Sequence, residues 1–500
     1  MVLAATVAQK KADPWRLLVM LGHVLYASLS SRSTLLFDER RNTRGGEYHL
    51  SNRVKYTRVE PRTLLKEDFL FPANVIGFSF GAVIGFPSAI LTDLQKRYSA
   101  EQISWIITAG TMGGVIGSVL WSQLTPRVGP KKSAYITGIP MLISWCLLLN
   151  IGNYNFVIAG RFISGISMGG LTSTVPHYVN DITEDSLRGA LGSFLVLGYN
   201  AGTLLVYLLG KFLDTFYVTV SCAVIPAAFL IIFLPCPESP VYLSVSGRAD
   251  HSKHNLKRLR YPRDVTEELA SYSLKSAVRK ARWADLVTNR PARKTLLISM
   301  AMFSIAQMCG FIPLLSYVGE IFQKAGGSLD PLTSACIVTA VQLGASFIAI
   351  GLVDRMGRRI LMMSSCVGMA LCNGLLSYSL TPGSGTPEWL PVTAMSGFMI
   401  SFSIGAGNCP YVIMNEMASP PMRPRIAAVN MLYQGILSVA YAKSYASMSA
   451  ALGIHGVFLV YAGGSLVGLV ITFFFLSETA GRSNNSIQEE LEGKRVKQIA

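Results

Sequence analysis

The chain has 500 residues, of which 51% are hydrophobic and only 14% are charged, and its mean hydropathy is +0.41. A soluble domain of this length does not need so much apolar chain, so the composition indicates an integral membrane protein. The formal net charge of +16 is explained by basic loops on one side of a membrane, and we expect no nucleic-acid partner.

The first segment, residues 1–69, is predicted to be a basic cytosolic N-terminal tail. It contains an apolar run, 15–30, with Lys10 and Lys11 before it and Arg16 at its start. This run resembles the core of a signal peptide, but a long polar stretch separates it from the first strongly apolar segment. We prefer a weakly amphipathic, membrane-surface segment within a cytosolic tail, and the signal peptide stays the alternative.

Twelve apolar segments follow, each about 20 residues long, which is the length that crosses a hydrocarbon core of ~30 Å. The predicted N-terminal six-helix bundle, 70–235, holds spans 1 to 6 at 70–92, 103–124, 133–152, 155–176, 189–212 and 216–235. A cytosolic linker, 236–294, is expected to form short basic helices around 255–260 and 267–282, with a disordered linker as the alternative. The C-terminal six-helix bundle, 295–476, holds spans 7 to 12 at 295–322, 332–353, 360–380, 390–415, 425–450 and 455–476, before a cytosolic tail, 477–500.

The distribution of Lys and Arg predicts which side of the membrane each loop occupies. The linker holds thirteen Lys/Arg against six Asp/Glu, whereas the connection after span 3 contains no charge and 381–391 contains only Glu388. Loops that remain in the cytoplasm collect the basic residues. We therefore expect the linker and both termini in the cytosol of a multi-pass plasma-membrane protein.

Three charged clusters of the first half recur in the second half. Gly129 of Arg127-Val-Gly-Pro-Lys-Lys132 and Gly357 of Asp354-Arg-Met-Gly-Arg-Arg359 are 228 residues apart. Asp181 precedes Arg188 by seven residues, as Glu416 precedes Arg423, and Pro237-Glu-Ser239 is answered by Ser477-Glu-Thr479. A nearly constant offset indicates one ancestral six-span unit used twice. The fold class is therefore an all-α integral membrane protein with twelve transmembrane helices in two six-helix repeats.

These motifs, with Gly160-Arg161-Phe162, Pro237-Glu-Ser-Pro240 and Ser477-Glu-Thr-Ala-Gly-Arg482, resemble those of the sugar porters of the major facilitator superfamily. The finer features Tyr199-Asn200 and Leu452-Gly-Ile-His455 are similar to the insect-type facilitated trehalose transporters. The resemblance implies the major facilitator fold and a small neutral sugar as the transported partner. It also implies a cytosolic gate that latches when the cavity faces outward, formed by Arg127, Asp181, Arg188, Glu238, Asp354, Arg358, Glu416, Arg423 and Glu478. The alternative is that these residues only anchor the topology.

A cavity for an uncharged sugar should present neutral hydrogen-bonding groups and aromatic faces. The amphipathic sides of the spans offer Asn200, Gln307, Tyr317, Gln342, Asn408, Tyr411 and Gln434. Four of them, Gln307, Tyr317, Gln342 and Tyr411, fall at sugar-contact positions of the family, with helix packing as the alternative. The chain departs from the family at Val196, Ala306 and Ile312, where glutamine, glutamine and asparagine are usual, and this reduces the polar site.

Span 1 contains no Asp or Glu between Phe71 and Leu91, whereas proton-driven sugar porters generally carry a carboxylate there. Intramembrane carboxylates are the usual proton relays, so we expect facilitative transport by a monomer embedded in the lipid bilayer. A proton-coupled sugar or polyol symporter and a sugar sensor with little transport stay open. No catalytic constellation occurs, the cysteines fall in or beside the spans, and His251 and His254 lack further ligands, so we expect no enzyme, metal or cofactor.

Overall fold

The computed structural model describes residues 64–183, 188–260, 265–266, 268–269, 272, 282–326, 329–383, 385–482 and 484–492. These residues form helices and their connections, with no strand among them. The predictions for 1–63 and for most of the linker helix at 267–282 lie outside the described residues.

The first half contains six long helices. Span 1 is Leu64–Ala89, and it continues through a 52° bend into the short helix Leu91–Arg97. Spans 2 to 6 are Ala100–Val128, Pro130–Leu148, Tyr154–Ile182, Arg188–Phe212 and Thr215–Ile232. The side chain of Ser99 accepts from the backbone N–H of Gln102, whose side chain accepts from Ser99 N–H, so a complete capping box begins span 2.

The second half repeats this order, with three of its helices broken. Span 7 consists of Arg290–Met308, Phe311–Ser316 and Val318–Ala325, and span 10 consists of Leu390–Ile404 and Cys409–Met417. Spans 8 and 9 are Pro331–Met356 and Arg358–Ser379. The helix Arg423–Phe475 has 53 residues and is interrupted at Gly453, where φ is +70°.

Length and hydropathy explain how these helices make twelve spans. Among the described residues, nine helices are long and apolar enough to cross a membrane, or ten when the bent pair of span 1 is included. A helix of 53 residues would be about 80 Å long, far more than one crossing needs, so Gly453 divides it into spans 11 and 12. Pro130–Leu148, a helix of 19 residues, supplies the remaining span. Its first turn contains the charged residues Lys131 and Lys132, which make it less apolar than the other spans.

The segments that follow spans 6 and 12 fold back under their own half. In the linker helix Ala249–Arg260, Arg260 Nη1 donates to the carbonyl of Ile182 at the end of span 4, at 2.8 Å. In the tail helix Asn484–Glu492, Asn484 Nδ2 donates to the carbonyls of Glu416 and Ala418 at the end of span 10. These contacts satisfy carbonyls that have no partner within their own helix.

The two halves contact each other at the ends away from the linker. The Gly319 N–H donates to Ser88 Oγ at 2.8 Å, and Tyr207 Oη donates to the carbonyl of Leu315 at 3.1 Å. Lys211 Nζ donates to Thr333 Oγ1 at 2.7 Å. Spans 2 and 11 line an open, mainly apolar cavity of about 610 Å³ that extends to the linker-side end of span 2; its lining residues are Val115, Ile116, Val119, Leu120, Gln123, Leu124, Arg127 and Leu432.

Candidate functional site

Gln307 lies on span 7 just before the helix breaks at Gly310. Its side chain is only 3% exposed, and its Oε1 accepts a hydrogen bond from Ser438 Oγ of span 11 at 3.2 Å. Ser438 also donates to the carbonyl of Gln434 at 2.9 Å. The single hydroxyl proton of Ser438 is shared between these two acceptors. A ligand can therefore replace Ser438 at Gln307 Oε1 while Ser438 keeps its hydrogen bond to the Gln434 carbonyl.

Tyr411 and Gln434 join spans 10 and 11 beside Gln307. Tyr411 Oη donates to Gln434 Oε1 at 3.0 Å, and the Tyr411 ring meets Phe303 edge to face with centroids 4.9 Å apart. This arrangement offers an aromatic face and an amide together, as a sugar site requires.

Gln342 and Asn200 lie on facing helices of opposite halves. Asn200 Nδ2 donates to Ser346 Oγ at 2.8 Å, and Ser346 Oγ donates to the backbone carbonyl of Gln342 at 2.9 Å. The Gln342 side-chain amide makes no hydrogen bond to another described residue. Gln342 therefore keeps its side-chain donors and acceptor for a ligand.

Tyr317 and Asn408, two further predicted site residues, lie at the helix breaks of spans 7 and 10. The Tyr317 ring stacks on Tyr445 with centroids 4.3 Å apart, at the break between the last two helices of span 7. Asn408 precedes the second helix of span 10, and its Nδ2 donates to the carbonyl of Ser403 at 3.1 Å. Asn408 thus closes the turn that breaks the span.

Ser346 and Ser438 contact predicted site residues but are absent from the sequence-based set. Each stands four residues after a predicted site residue, Gln342 and Gln434 respectively. Residues four apart share a helix face, so this spacing was a usable signal.

The three departures from the family pattern make parts of the site apolar. Val196 is 38% exposed, Ala306 is buried, and Ile312 packs partly buried against the core. None of these side chains can donate or accept a hydrogen bond, so the polar contacts come from fewer side chains.

Arg161 is a buried cation on span 4, only 5% exposed. Its Nη1 donates to the carbonyl of Val83 on span 1 at 2.5 Å, and its Nε donates to that of Ile106 on span 2 at 3.4 Å. A Cβ added to Gly110 would lie 2.9 Å from Arg161 Nη2, so glycine leaves room for the guanidinium. The described partners of this charge are carbonyl oxygens rather than a carboxylate.

The predicted gate residues of the first half meet at the linker-side ends of its helices. Glu238 Oε1 accepts from the backbone N–H of Lys131, which begins span 3, at 2.8 Å. Ser239 Oγ donates to Asp181 Oδ2 at 2.5 Å. Arg127 is exposed beside the cavity between spans 2 and 11. The side chain of Arg188 lies outside the description.

The second half repeats this arrangement and adds an ion pair. Glu478 accepts from the backbone N–H groups of Arg358 and Arg359 at 2.8 and 3.1 Å, and Thr479 Oγ1 donates to Glu416 Oε2 at 2.6 Å. Arg358 Nη2 lies 2.8 Å from Glu416 Oε1. Pro130 occupies the position of Arg358 in the first half, so it cannot repeat this ion pair there.

Arg423 and Glu478 are two further predicted gate residues whose surroundings the structure describes. Arg423, the first residue of span 11, donates from Nη2 to the carbonyl of Ala418, which follows span 10, at 3.4 Å. The side chain of Asp354 is outside the description. Burial would raise the pKa of the Glu478 carboxyl, but the backbone N–H donors of Ala480, Arg358, Arg359 and Thr479 outweigh burial and hold that pKa below its usual range.

Two six-helix halves, with broken helices and polar side chains between them, define a membrane transporter of the major facilitator fold. The family profile described as "Sugar (and other) transporter" matches residues 69–491, so the chain belongs to that family, whose members are transporters rather than enzymes. Among solved structures, the inward-open xylose transporter XylE from E. coli has a TM-score of 0.72 at 20% identity, covering 85% of this chain and 98% of that one.

Curated relatives include two mosquito proteins named facilitated trehalose transporter Tret1. The Culex quinquefasciatus protein is 29% identical over 462 residues, which are 88% of this chain and 89% of that protein. The Anopheles gambiae protein is 30% identical over 432 residues, which are 82% of this chain and 54% of that protein. The chain thus spans about half the length of the Anopheles relative.

Proposed function

We propose that this protein is a facilitative carrier of a neutral sugar, trehalose or a hexose, that works by alternating access. The central support is the chemistry of the second half: Gln307, Gln342, Tyr411 and Gln434 are uncharged donors and acceptors, and Tyr411 packs edge to face on Phe303. Such groups match hydroxyls and do not require a charged substrate. The relatives named trehalose transporters favour trehalose within this class.

The contacts of Arg161 support uniport. Proton coupling needs a titratable group at membrane depth, and a carboxylate facing a buried arginine is a suitable one. Here the guanidinium donates to the carbonyls of Val83 and Ile106, and span 1 contains no Asp or Glu from Phe71 to Leu91. The XylE structures come from a proton:xylose symporter, and symport is therefore the alternative that the experiment must exclude.

The proposal includes the orientation of the carrier in the membrane. With the linker and both termini in the cytosol of the plasma membrane, the closed ends that contain Ser88, Gly319 and Lys211 face outward. The cavity between spans 2 and 11 then opens toward the cytosol. The arrangement is an inward-facing carrier in which the predicted outward-state latch is released, and it works as a monomer.

The test is uptake of labelled trehalose, hexoses and polyols into transporter-free cells, at neutral and acidic external pH and with a protonophore. We expect saturable, non-concentrative uptake of trehalose or a hexose that the protonophore leaves unchanged. Concentrative, protonophore-sensitive uptake would establish symport instead. Binding of a sugar to the purified protein without uptake would establish a sensor.

A further inference from the structure

Asn200 and Ser346 form a buried polar contact between the two halves at the depth of the candidate site. Asn200 is 2% and Ser346 3% exposed, and Asn200 Nδ2 donates to Ser346 Oγ at 2.8 Å. The other hydrogen bonds described between the halves lie nearer the ends away from the linker, as Ser88–Gly319 and Lys211–Thr333 do. The Asn200–Ser346 contact is therefore placed where a ligand can influence it.

The amide of Asn200 is only half satisfied. Its Oδ1 is buried and has no hydrogen-bond partner among the described residues, and a buried acceptor without a donor costs free energy. Ser346 cannot supply the missing donor, because its hydroxyl proton goes to the carbonyl of Gln342 at 2.9 Å. A donor that reaches Oδ1 must come from elsewhere.

Asn200 also lies on the helix face from which the usual polar contact has been lost. Val196, which replaces the family's glutamine, is 38% exposed and stands one turn before Asn200 on span 5. Gln342 stands one turn from Ser346 on span 8. The polar group of span 5 has thus moved by one turn to a position opposite Ser346.

We propose that Asn200 is a sugar-binding residue and that Ser346 competes with the sugar for it. A hydroxyl donates to Asn200 Oδ1 and accepts from Asn200 Nδ2, so it replaces the Ser346 contact and supplies the missing donor. Binding then separates span 5 from span 8 and favours reorientation of the halves. This inference rests on the proposed sugar transport and names a residue pair that links binding to movement.

The proposal predicts that substitutions at Ser346 and at Asn200 change the affinity for sugar in opposite directions. If the two residues only packed the helices together, both substitutions would act in the same direction. Ser346→Ala removes the competitor, so the apparent Kd for trehalose or D-glucose should fall by about three- to tenfold. Asn200→Leu removes the binding group, so the Kd should rise by a similar factor. The double variant should follow Asn200→Leu, and Ser346→Thr should resemble the parent because the hydroxyl is kept.

Kd is measured as sugar protection of a cysteine introduced at Val196, which reports binding whether or not transport occurs. The matched control is Asn430→Leu. Asn430 Nδ2 donates to Ser299 Oγ at the same 2.8 Å, and Asn430 Oδ1 also has no partner among the described residues. Unlike Asn200 and Ser346, Asn430 and Ser299 both lie in the second half. We expect this control to lower the yield of folded protein and leave Kd unchanged.

Equal Kd values in the parent, Ser346→Ala and Asn200→Leu would overturn the proposal and leave sugar transport intact. A shift in the same direction in both variants would also overturn it, since it would indicate a structural contact. A parent that neither binds nor transports any tested sugar would overturn the proposed function, and this inference with it.

Discussion

At the residue scale, the proposed sugar site is a neutral hydrogen-bonding surface to which only a few side chains contribute. Gln307 and Gln342 are each 3% exposed, and neither has its side chain fully used by protein partners. Val196, Ala306 and Ile312 add apolar surface instead. Affinity should consequently depend on a few amides, because each hydrogen bond contributes only modestly.

Gln307→Leu should raise the apparent KM for sugar by an amount equivalent to about 0.5–1.5 kcal/mol, because one direct hydrogen bond between protein and sugar is lost. Ser438 keeps its hydrogen bond to the Gln434 carbonyl in this variant. Ile312→Asn is the reciprocal change and should lower KM. Initial uptake rates, corrected for surface expression, measure both. Normal expression with unchanged KM in Gln307→Leu would show that this amide does not contact the sugar.

At the element scale, the helix breaks decide where the site residues lie. Span 7 turns at Gly310, whose φ of +83° is in the left-handed region, and a Cβ there would lie 2.3 Å from Tyr461 Cδ2. Span 10 breaks between Ile404 and Cys409 beside Asn408. Irregular backbone at membrane depth is tolerated where it borders a polar space.

Gly310→Ala should destabilise the folded protein by at least about 2 kcal/mol, because a left-handed residue with a Cβ is strained and the Tyr461 ring must also move. The apparent Tm of the solubilised protein measures the loss. Gly374→Ala in span 9 is the control, since a Cβ there meets nothing within 4 Å. Equal Tm values for both variants would argue against a strained break.

The stability of the folded protein should depend on pH, because Glu478 binds the backbone at the start of span 9 on the linker side. The pKa of Glu478 is lower in the folded protein than in the unfolded chain, where a glutamate has a pKa of about 4.3. The Glu478 carboxylate therefore stabilises the fold above about pH 4.3, and this contribution is lost as the pH falls through the lower pKa of the folded state. Glu478→Gln should therefore reduce the stability at neutral pH and flatten its decline on acidification. Thermal unfolding at stepwise lower pH measures it, with the exposed Glu489→Gln as the control. Parallel pH profiles for Glu478→Gln and the parent would contradict this role.

At the scale of the whole molecule, the hydrogen bonds described between the two similar halves lie at the middle of spans 5 and 8 and at the ends away from the linker. The gate contacts described here stay within each half: Arg358 with Glu416, and Ser239 with Asp181. Contacts between the halves, such as Ser88 with Gly319, lie at the opposite ends. The proposed alternating access requires the contacts between the halves at those ends to open while charged residues of the two halves pair on the linker side.

Glu416→Gln should shift the carrier toward the inward-facing state, because the proposed latch that holds the outward-facing state loses one of its charges. Arg423→Ala should act in the same direction. Labelling of a cysteine at Val196 from the cytosolic side should increase in both. Glu490→Gln, which removes an exposed tail pair with Arg482, is the control and should change little. Unchanged labelling and uptake in both gate variants would reject the latch.

Epitope tags test the orientation of the whole molecule. Tags at either terminus should be reached by antibody only after permeabilisation, and a tag beside Gly383 should be reached from outside, because the basic residues lie on the linker side. A C-terminal tag that is reached on intact cells would contradict the predicted topology.

The sequence alone determined the features that depend on local composition. Apolar length predicted twelve spans, and the recurrence of charged clusters predicted two halves, both of which agree with the fold. The amide and aromatic candidates were also visible, since residue type decides which side chains can bond to a hydroxyl. Only the tertiary structure decided the partners: Glu416 bonds Arg358, Arg161 bonds carbonyls, and Asn200 bonds Ser346. These contacts join residues far apart in sequence, and they depend on where helices bend and how closely they pack, which local patterns do not specify.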